Sequence, residues 1–255
     1  MTTNSLNNEC LEDFTVSGGA SGALRSLRVE NEYDVASSAS VMEHYIAGTT
    51  ADDPYTSCIV GATASYATGI DVDDSQYFKL GYAASAAATP SSTALLETDT
   101  SSRNFYPSQP CFKAHVSTQV DNVTGDGTVV TVPFNTEDFD IGSNYNNGTY
   151  IFTVPLDGRY MFLSCVQIRG IVAGITEKAL FLKVNGTTVV ANKSAAFGLQ
   201  SSGSNMSWPI YATLDLSASD TVRVDVQCSN GAKVVDIDDG FGGSTTFYFS
   251  GYLLG

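Results

Sequence analysis

From residue 111 onward, apolar and polar side chains alternate with the period of a pleated strand. In TVRVDVQC, Val222, Val224, Val226 and Cys228 alternate with Thr221, Arg223, Asp225 and Gln227. That pattern predicts one buried face and one wet face. In YMFLSCVQI both faces are largely apolar, with Tyr160, Phe162, Val166 and Ile168 on one side and Met161, Leu163 and Cys165 on the other. A strand in a two-layer sandwich needs only one apolar face, so the second predicts a cover, and a neighbouring subunit is the simplest one. Asn185-Gly186, set between ALFLKV and TTVVAN, is the two-residue turn that a type I′ hairpin requires. The chain finishes on FYFSGYLLG, an apolar segment that predicts a last strand tied into a sheet.

The first half reads less regularly. Residues 1–30 contain SGGASGAL and predict an irregular arm, while the alternation within VASSASVMEHYIA (35–47) favours a short strand. Residues 55–85 place short runs of Tyr, Ile, Val and Phe between Gly, Asp and Ser, which predicts hairpins. A last short apolar stretch in 86–110 gives way to a polar linker, and Pro107 and Pro110 mark a boundary. The expected organisation is an arm over 1–30, a β-rich module over 31–107 and a β-sandwich over 108–255.

Composition supports the all-β reading and narrows the function classes. The 255 residues carry 27 acidic and 12 basic side chains, a net charge of −15, with 43% hydrophobic and only 15% charged residues. The apolar content is too high for a disordered acidic chain. Twelve scattered Lys and Arg do not provide the cationic surface that a nucleic-acid binder needs. No run of about 18 uncharged apolar residues predicts a membrane span. The opening MTTNSLNNECLEDF has neither the basic nor the apolar region of a secretory signal.

Little in the chain resembles catalytic chemistry. The five cysteines, Cys10, Cys58, Cys111, Cys165 and Cys228, show no metal-binding spacing, and those in strand-like runs read as small buried hydrophobes. The two histidines, His44 and His115, belong to no nucleophile, metalloprotease or phosphate-binding motif. No enzyme is expected. Trp208, in NMSWPIYATLDL, would stack on a sugar if exposed, but a Trp opening a strand reads more readily as core or interface.

Residues 111–255 resemble the globular-head domain shared by complement-type collagenous proteins and tumour-necrosis-factor-like ligands. The carriers are Phe112-Lys113-Ala114-His115, Phe134-Asn135 with Asn144-Tyr145-Asn146, and the run from Gly148 through Pro155, Gly158 and Tyr160 to Phe162. Leu182-Lys183-Val184-Asn185-Gly186, Leu214-Asp215-Leu216 with Asp220-Thr221-Val222, and Phe249-Ser250-Gly251-Tyr252-Leu253-Leu254 complete the series. The resemblance implies a ten-stranded jelly roll that assembles as a homotrimer. Tyr150, Phe152, Tyr160, Phe162, Phe247 and Phe249 would supply core and threefold interface, and Gly251 would let the last strand pass close to a neighbouring backbone. No collagen stalk accompanies the domain.

Gly61 to Asp71, Asp73-Asp74-Ser75 and Phe78-Lys79-Leu80, with Asp52-Asp53-Pro54-Tyr55 upstream, are similar to a module of phage tail-fibre and other virion proteins. Together the two resemblances imply a non-enzymatic virion protein of a bacteriophage. It would be a trimeric tail-fibre or spike subunit whose first half contacts other virion proteins and whose knob binds a host-surface glycan or protein. A capsid decoration protein and a secreted glycan-binding, complement-like protein are the alternatives. The contact surface is expected on the loops Leu199–Asn205 and Asp236–Gly243, with Trp208 and Phe241 as candidates. No cofactor is expected beyond calcium, for which the acidic clusters around Asp71, around Asp138 and at Asp236, Asp238 and Asp239 are weak candidates, the last lacking the spacing of a helix–loop–helix calcium site.

Overall fold

The computed structural model describes residues 55–60, 64–71, 76–85, 88–90, 92–171, 175–195, 204–229, 231–240 and 246–255. The expectations for the arm, for 35–47, for His44, for Asp73 and Asp74, for most of the loop Leu199–Asn205 and for Phe241 lie outside them. Among the described residues there is no helix. Eighteen strands form three antiparallel sheets.

The first sheet is a meander of β1 (Tyr55–Val60), β2 (Ala64–Asp71), β3 (Tyr77–Ala83), β4 (Thr93–Thr98) and β5 (Asn104–Phe105), paired in sequence order. One of its faces is buried and made of small or charged residues. Ser65, Ala67, Asp71, Lys79 and Gly81 lie there, with Lys79 Nζ 3.0 Å from Asp71 and 3.4 Å from Glu97. Gly81 is required because a Cβ would sit 2.4 Å from the Thr89 carbonyl oxygen. Ser65 anchors the same crossing segment, donating to the Ser85 carbonyl and accepting from Ala88 N–H.

The remaining strands are β6 (Cys111–His115), β7 (Val120–Thr124), β8 (Val129–Thr131), β9 (Thr136–Ile141), β10 (Tyr145–Asn146), β11 (Ile151–Thr153), β12 (Gly158–Ile171), β13 (Glu177–Val184), β14 (Thr187–Ala195), β15 (Ser204–Leu216), β16 (Thr221–Ser229), β17 (Val235–Ile237) and β18 (Tyr248–Leu253). They build two sheets. One runs β7-β17-β12-β18-β6-β9, with β15 along the other side of β12; the second runs β10-β11-β16-β13-β14, with β8 also on β16. The last strand pairs with the first of this set, Phe249 opposite Ala114, and β12 lies between β18 and β15. Two packed antiparallel sheets joined by such long-range pairings form a jelly-roll β-sandwich.

Its core is aromatic. Phe112, Phe134, Phe152, Tyr160, Phe162 and Phe249 are buried between the sheets. The Phe112 ring stacks on Tyr145 and Phe152 at 4.8 and 4.7 Å and meets Phe249 edge-on at 4.9 Å. The buried phenols are satisfied, Tyr145 donating to the Phe134 carbonyl and Tyr160 to that of Leu156. Burial pushes the Tyr145 hydroxyl well above its ordinary pKa. Asn185 and Gly186 both take positive φ in the β13–β14 turn, as the type I′ geometry demands.

Candidate functional site

The two outer faces of the sandwich differ in chemistry. On the β13–β16 side the outward residues include the charged Glu177, Lys183, Arg223 and Asp225 beside buried Ala179 and Phe181. Asp225 is buried there, 2.7 Å from Lys183 Nζ and 3.1 Å from Arg223 Nε, and it accepts a hydrogen bond from the Thr131 hydroxyl. Lys183 and Lys193 close over the ring of Phe181, the large aromatic on this face.

The opposite sheet is built otherwise. Strand register lines up three cross-strand rows on its outward side. Ile141, Cys111, Tyr252, Met161 and Thr213 form the first, and Phe139, Lys113, Ser250, Leu163 and Tyr211 the second. Thr136, His115, Tyr248, Cys165 and Pro209 form the third. Tyr211 is 69% exposed, and Phe139, Ile141 and Tyr252 are exposed as well. Lys113 in these rows is neutralised by Asp138 at the neighbouring bulge, 3.0 Å away, and His115 Nδ1 lies 2.9 Å from the same carboxylate without the alignment of a hydrogen bond. Met161, Leu163 and Cys165, whose outward position the alternation of YMFLSCVQI predicts, stand at the centre and are half-buried.

Of the aromatic set expected to supply core and threefold interface, most belongs to the core. Phe152, Tyr160, Phe162 and Phe249 are enclosed between the sheets of one protomer and present no surface to a second. Phe247 is buried just before β18. Tyr150 is half-buried in the turn before β11, with φ of 64° and its N–H bonded to the Asn146 carbonyl. Gly251 is a correction of a different kind. A Cβ there would meet Phe162 and Phe112 ring atoms at 2.6 and 2.8 Å, so the glycine makes room for core rings, not for a neighbouring backbone.

Trp208 corrects the expectation of an exposed contact residue. It is 8% exposed and belongs to the core cluster. Met206, Trp208, Ile210, Ala212, Leu214 and Leu216 all point inward along β15. The sequence carries this period-two signal, but Pro209 reads as a break in it. Pro209 is tolerated because β15 pairs with β12 alone, and the Pro209 carbonyl, which points the same way as its nitrogen, accepts from Asn192 Nδ2 across the open edge at 2.8 Å. Lys178 Nζ lies 5.4 Å above the Trp208 ring. Burial holds this amine below its usual pKa.

The acidic clusters do not converge. Asp236 accepts from Asn122 N–H at 2.7 Å and from Gln119, tethering β17 to the segment beside it. Asp238 accepts from Gly240 N–H and faces Arg169 at 3.9 Å, while Asp239 has its own partner. Asp71 is engaged by Lys79 and Asp138 by Lys113. Among the described residues no group of three His, Cys, Asp or Glu side chains is placed to hold a metal ion. Asp236 and Asp238 thus each accept a hydrogen bond from a backbone N–H, of Asn122 and of Gly240.

The fold thus defines a jelly-roll β-sandwich with one apolar outer face. Among solved structures the chain is similar to the globular domain of a zebrafish complement 1qA protein, at 19% identity over 58% of this chain and 98% of that one, with a TM-score of 0.39. No protein-family model and no curated protein matches the chain.

Proposed function

We propose that the chain is a non-enzymatic structural protein of a bacterial virion, a homotrimeric tail-fibre or spike subunit whose sandwich is a knob for the host surface. The observation that carries self-association is the asymmetry of the sandwich: one outer face carries the Lys183–Asp225–Arg223 ion pairs, the other is lined by Phe139, Ile141, Leu163, Tyr211 and Tyr252. An apolar face of this extent is costly to leave in water. In its three central rows the cation, Lys113, is paired with Asp138, which suits burial against a copy of a chain whose net charge is −15. The virion assignment rests on the resemblance of residues 52–80, read from their motifs, to a module of tail-fibre proteins. Three identical shallow sites on one trimer would grip a surface by raising effective concentration, without a deep pocket.

Labelling intact virions with an antibody to this chain tests the placement. Signal at the tail is the expected result. Signal over the head would transfer the same trimer to a capsid decoration role, and virions that remain unlabelled would reject the proposal.

A further inference from the structure

The first sheet has its polarity inverted. The face covered by the chain carries Asp71, Lys79, Glu97 and Ser65 at its centre, with Tyr55, Tyr77 and Phe105 towards its ends, while the open face carries Tyr66, Phe78 and Tyr82 among uncharged neighbours. Along β2, Tyr66, Thr68 and Ile70 point outward; on β3, Phe78, Leu80 and Tyr82 lie opposite them. Leu96 extends the row onto β4. Tyr66 and Phe78 are each 46% exposed and Ile70 is 41% exposed. The rings of Tyr66 and Tyr82 already lie together, 5.1 Å apart.

We propose that this open face, centred on Tyr66, Ile70 and Phe78, packs against the same face of further copies of this chain. The inference is separate from the sandwich surface and rests on different residues. Two features select a copy as the occupant. No charged residue lies on the open face among the described residues, because Thr56 and Cys58 on β1, and Thr93 and Thr98 on β4, complete it. In a chain with net charge −15, two copies meet without like-charge repulsion on such a surface. The area is also sufficient. With about 150–250 Å² for a whole aromatic side chain, half-exposed rings and their aliphatic neighbours offer on the order of 400 Å² of apolar surface per copy. That is about half of the roughly 800 Å² per partner in a stable interface, and close to the apolar share expected once a polar rim is added.

Maleimide labelling of the full chain tests this. Thr68→Cys is introduced in a Cys58→Ser background, because Cys58 is exposed beside Tyr66 on the same face. Labelling at position 68 is read by peptide mass spectrometry. Copies packed on this face slow labelling about tenfold or more relative to the same chain carrying Phe78→Glu, and dilution restores the fast rate without any substitution. Leu163→Glu, which strikes the sandwich face alone, leaves protection at position 68 in place. Fast labelling at every concentration, or slow labelling that dilution does not change, overturns the proposal. So does protection that vanishes with Leu163→Glu and survives Phe78→Glu. Fast labelling that slows only when another virion protein is added assigns the face to that protein and overturns packing between copies.

Discussion

Replacing Gly251 by alanine destabilises the sandwich through one atom. The added Cβ would lie 2.6 Å from Phe162 Cδ1 and 2.8 Å from Phe112 Cε1. Neither ring has room to withdraw. Phe112 is held by Tyr145, Phe152 and Phe249 at 4.7–4.9 Å, and Phe162 by Phe152 and Phe249 at 5.8 and 5.9 Å. Overpacking of this kind costs about 1–3 kcal/mol. Against it stands the conformational gain of alanine over glycine, about 0.5–1 kcal/mol. The net expectation is a loss of about 1–2 kcal/mol. Trp208 is the single tryptophan and sits in the sandwich core, so its fluorescence during urea unfolding, at fixed protein concentration, reports this domain. Phe162→Leu in the Gly251→Ala background should recover part of the loss, because the two substitutions share one contact. A Gly251→Ala chain as stable as the parent, or more stable, would refute the reasoning.

Two further outcomes follow from buried groups. Lys178 has its pKa lowered by desolvation, so the unfolded chain binds the proton more tightly, and the cost of burying the ammonium is relieved as pH rises towards 10.5. Lys178→Met therefore stabilises the sandwich by about 1 kcal/mol at pH 7, and urea unfolding at increasing pH should show that advantage shrinking; a constant advantage contradicts it. In the chain diluted until copies separate, thiol labelling among the cysteines of the described residues should modify exposed Cys58 first, half-buried Cys111 and Cys165 slowly, and Cys228 only on unfolding. Burial pushes the Cys228 thiol up to about 12, so it keeps its proton in the folded chain while the unfolded thiol ionises near 9.0. Its contribution to stability is lost as pH rises from 9.0 towards 12, and rapid native labelling of Cys228 would show that the core is open.

Local patterns made much of the sandwich legible. The alternation in TVRVDVQC places Val222, Val224, Val226 and Cys228 inward, and Asn185-Gly186 fixes the β13–β14 hairpin because no other dipeptide type takes its two positive φ values so readily. The half-exposed outer side of β12 also follows from alternation. What alternation does not reveal is register. Phe139 and Tyr211 share a row with Leu163 only because β9, β6, β18, β12 and β15 pair as they do, through a bulge between Lys113 and Ala114. The buried Asp71–Lys79–Glu97 group was hidden for the same reason, since three strands contribute one residue each. Asp225 sits at a position that alternation assigns to solvent, yet the cations of Lys183 and Arg223 and the Thr131 hydroxyl enclose it. Trp208 lies within β15 and in the core, as the core-or-interface reading expects, and not at an exposed contact; the edge strand accommodates Pro209 beside it.

The central claim is that the apolar sandwich face is covered by copies of the same chain, and the mass of the purified protein in solution tests it most directly. Multi-angle light scattering of the full chain at micromolar concentration should give three times 26.9 kDa. A stable 26.9 kDa species at that concentration, with Tyr211, Leu163 and Tyr252 left facing water, would contradict it.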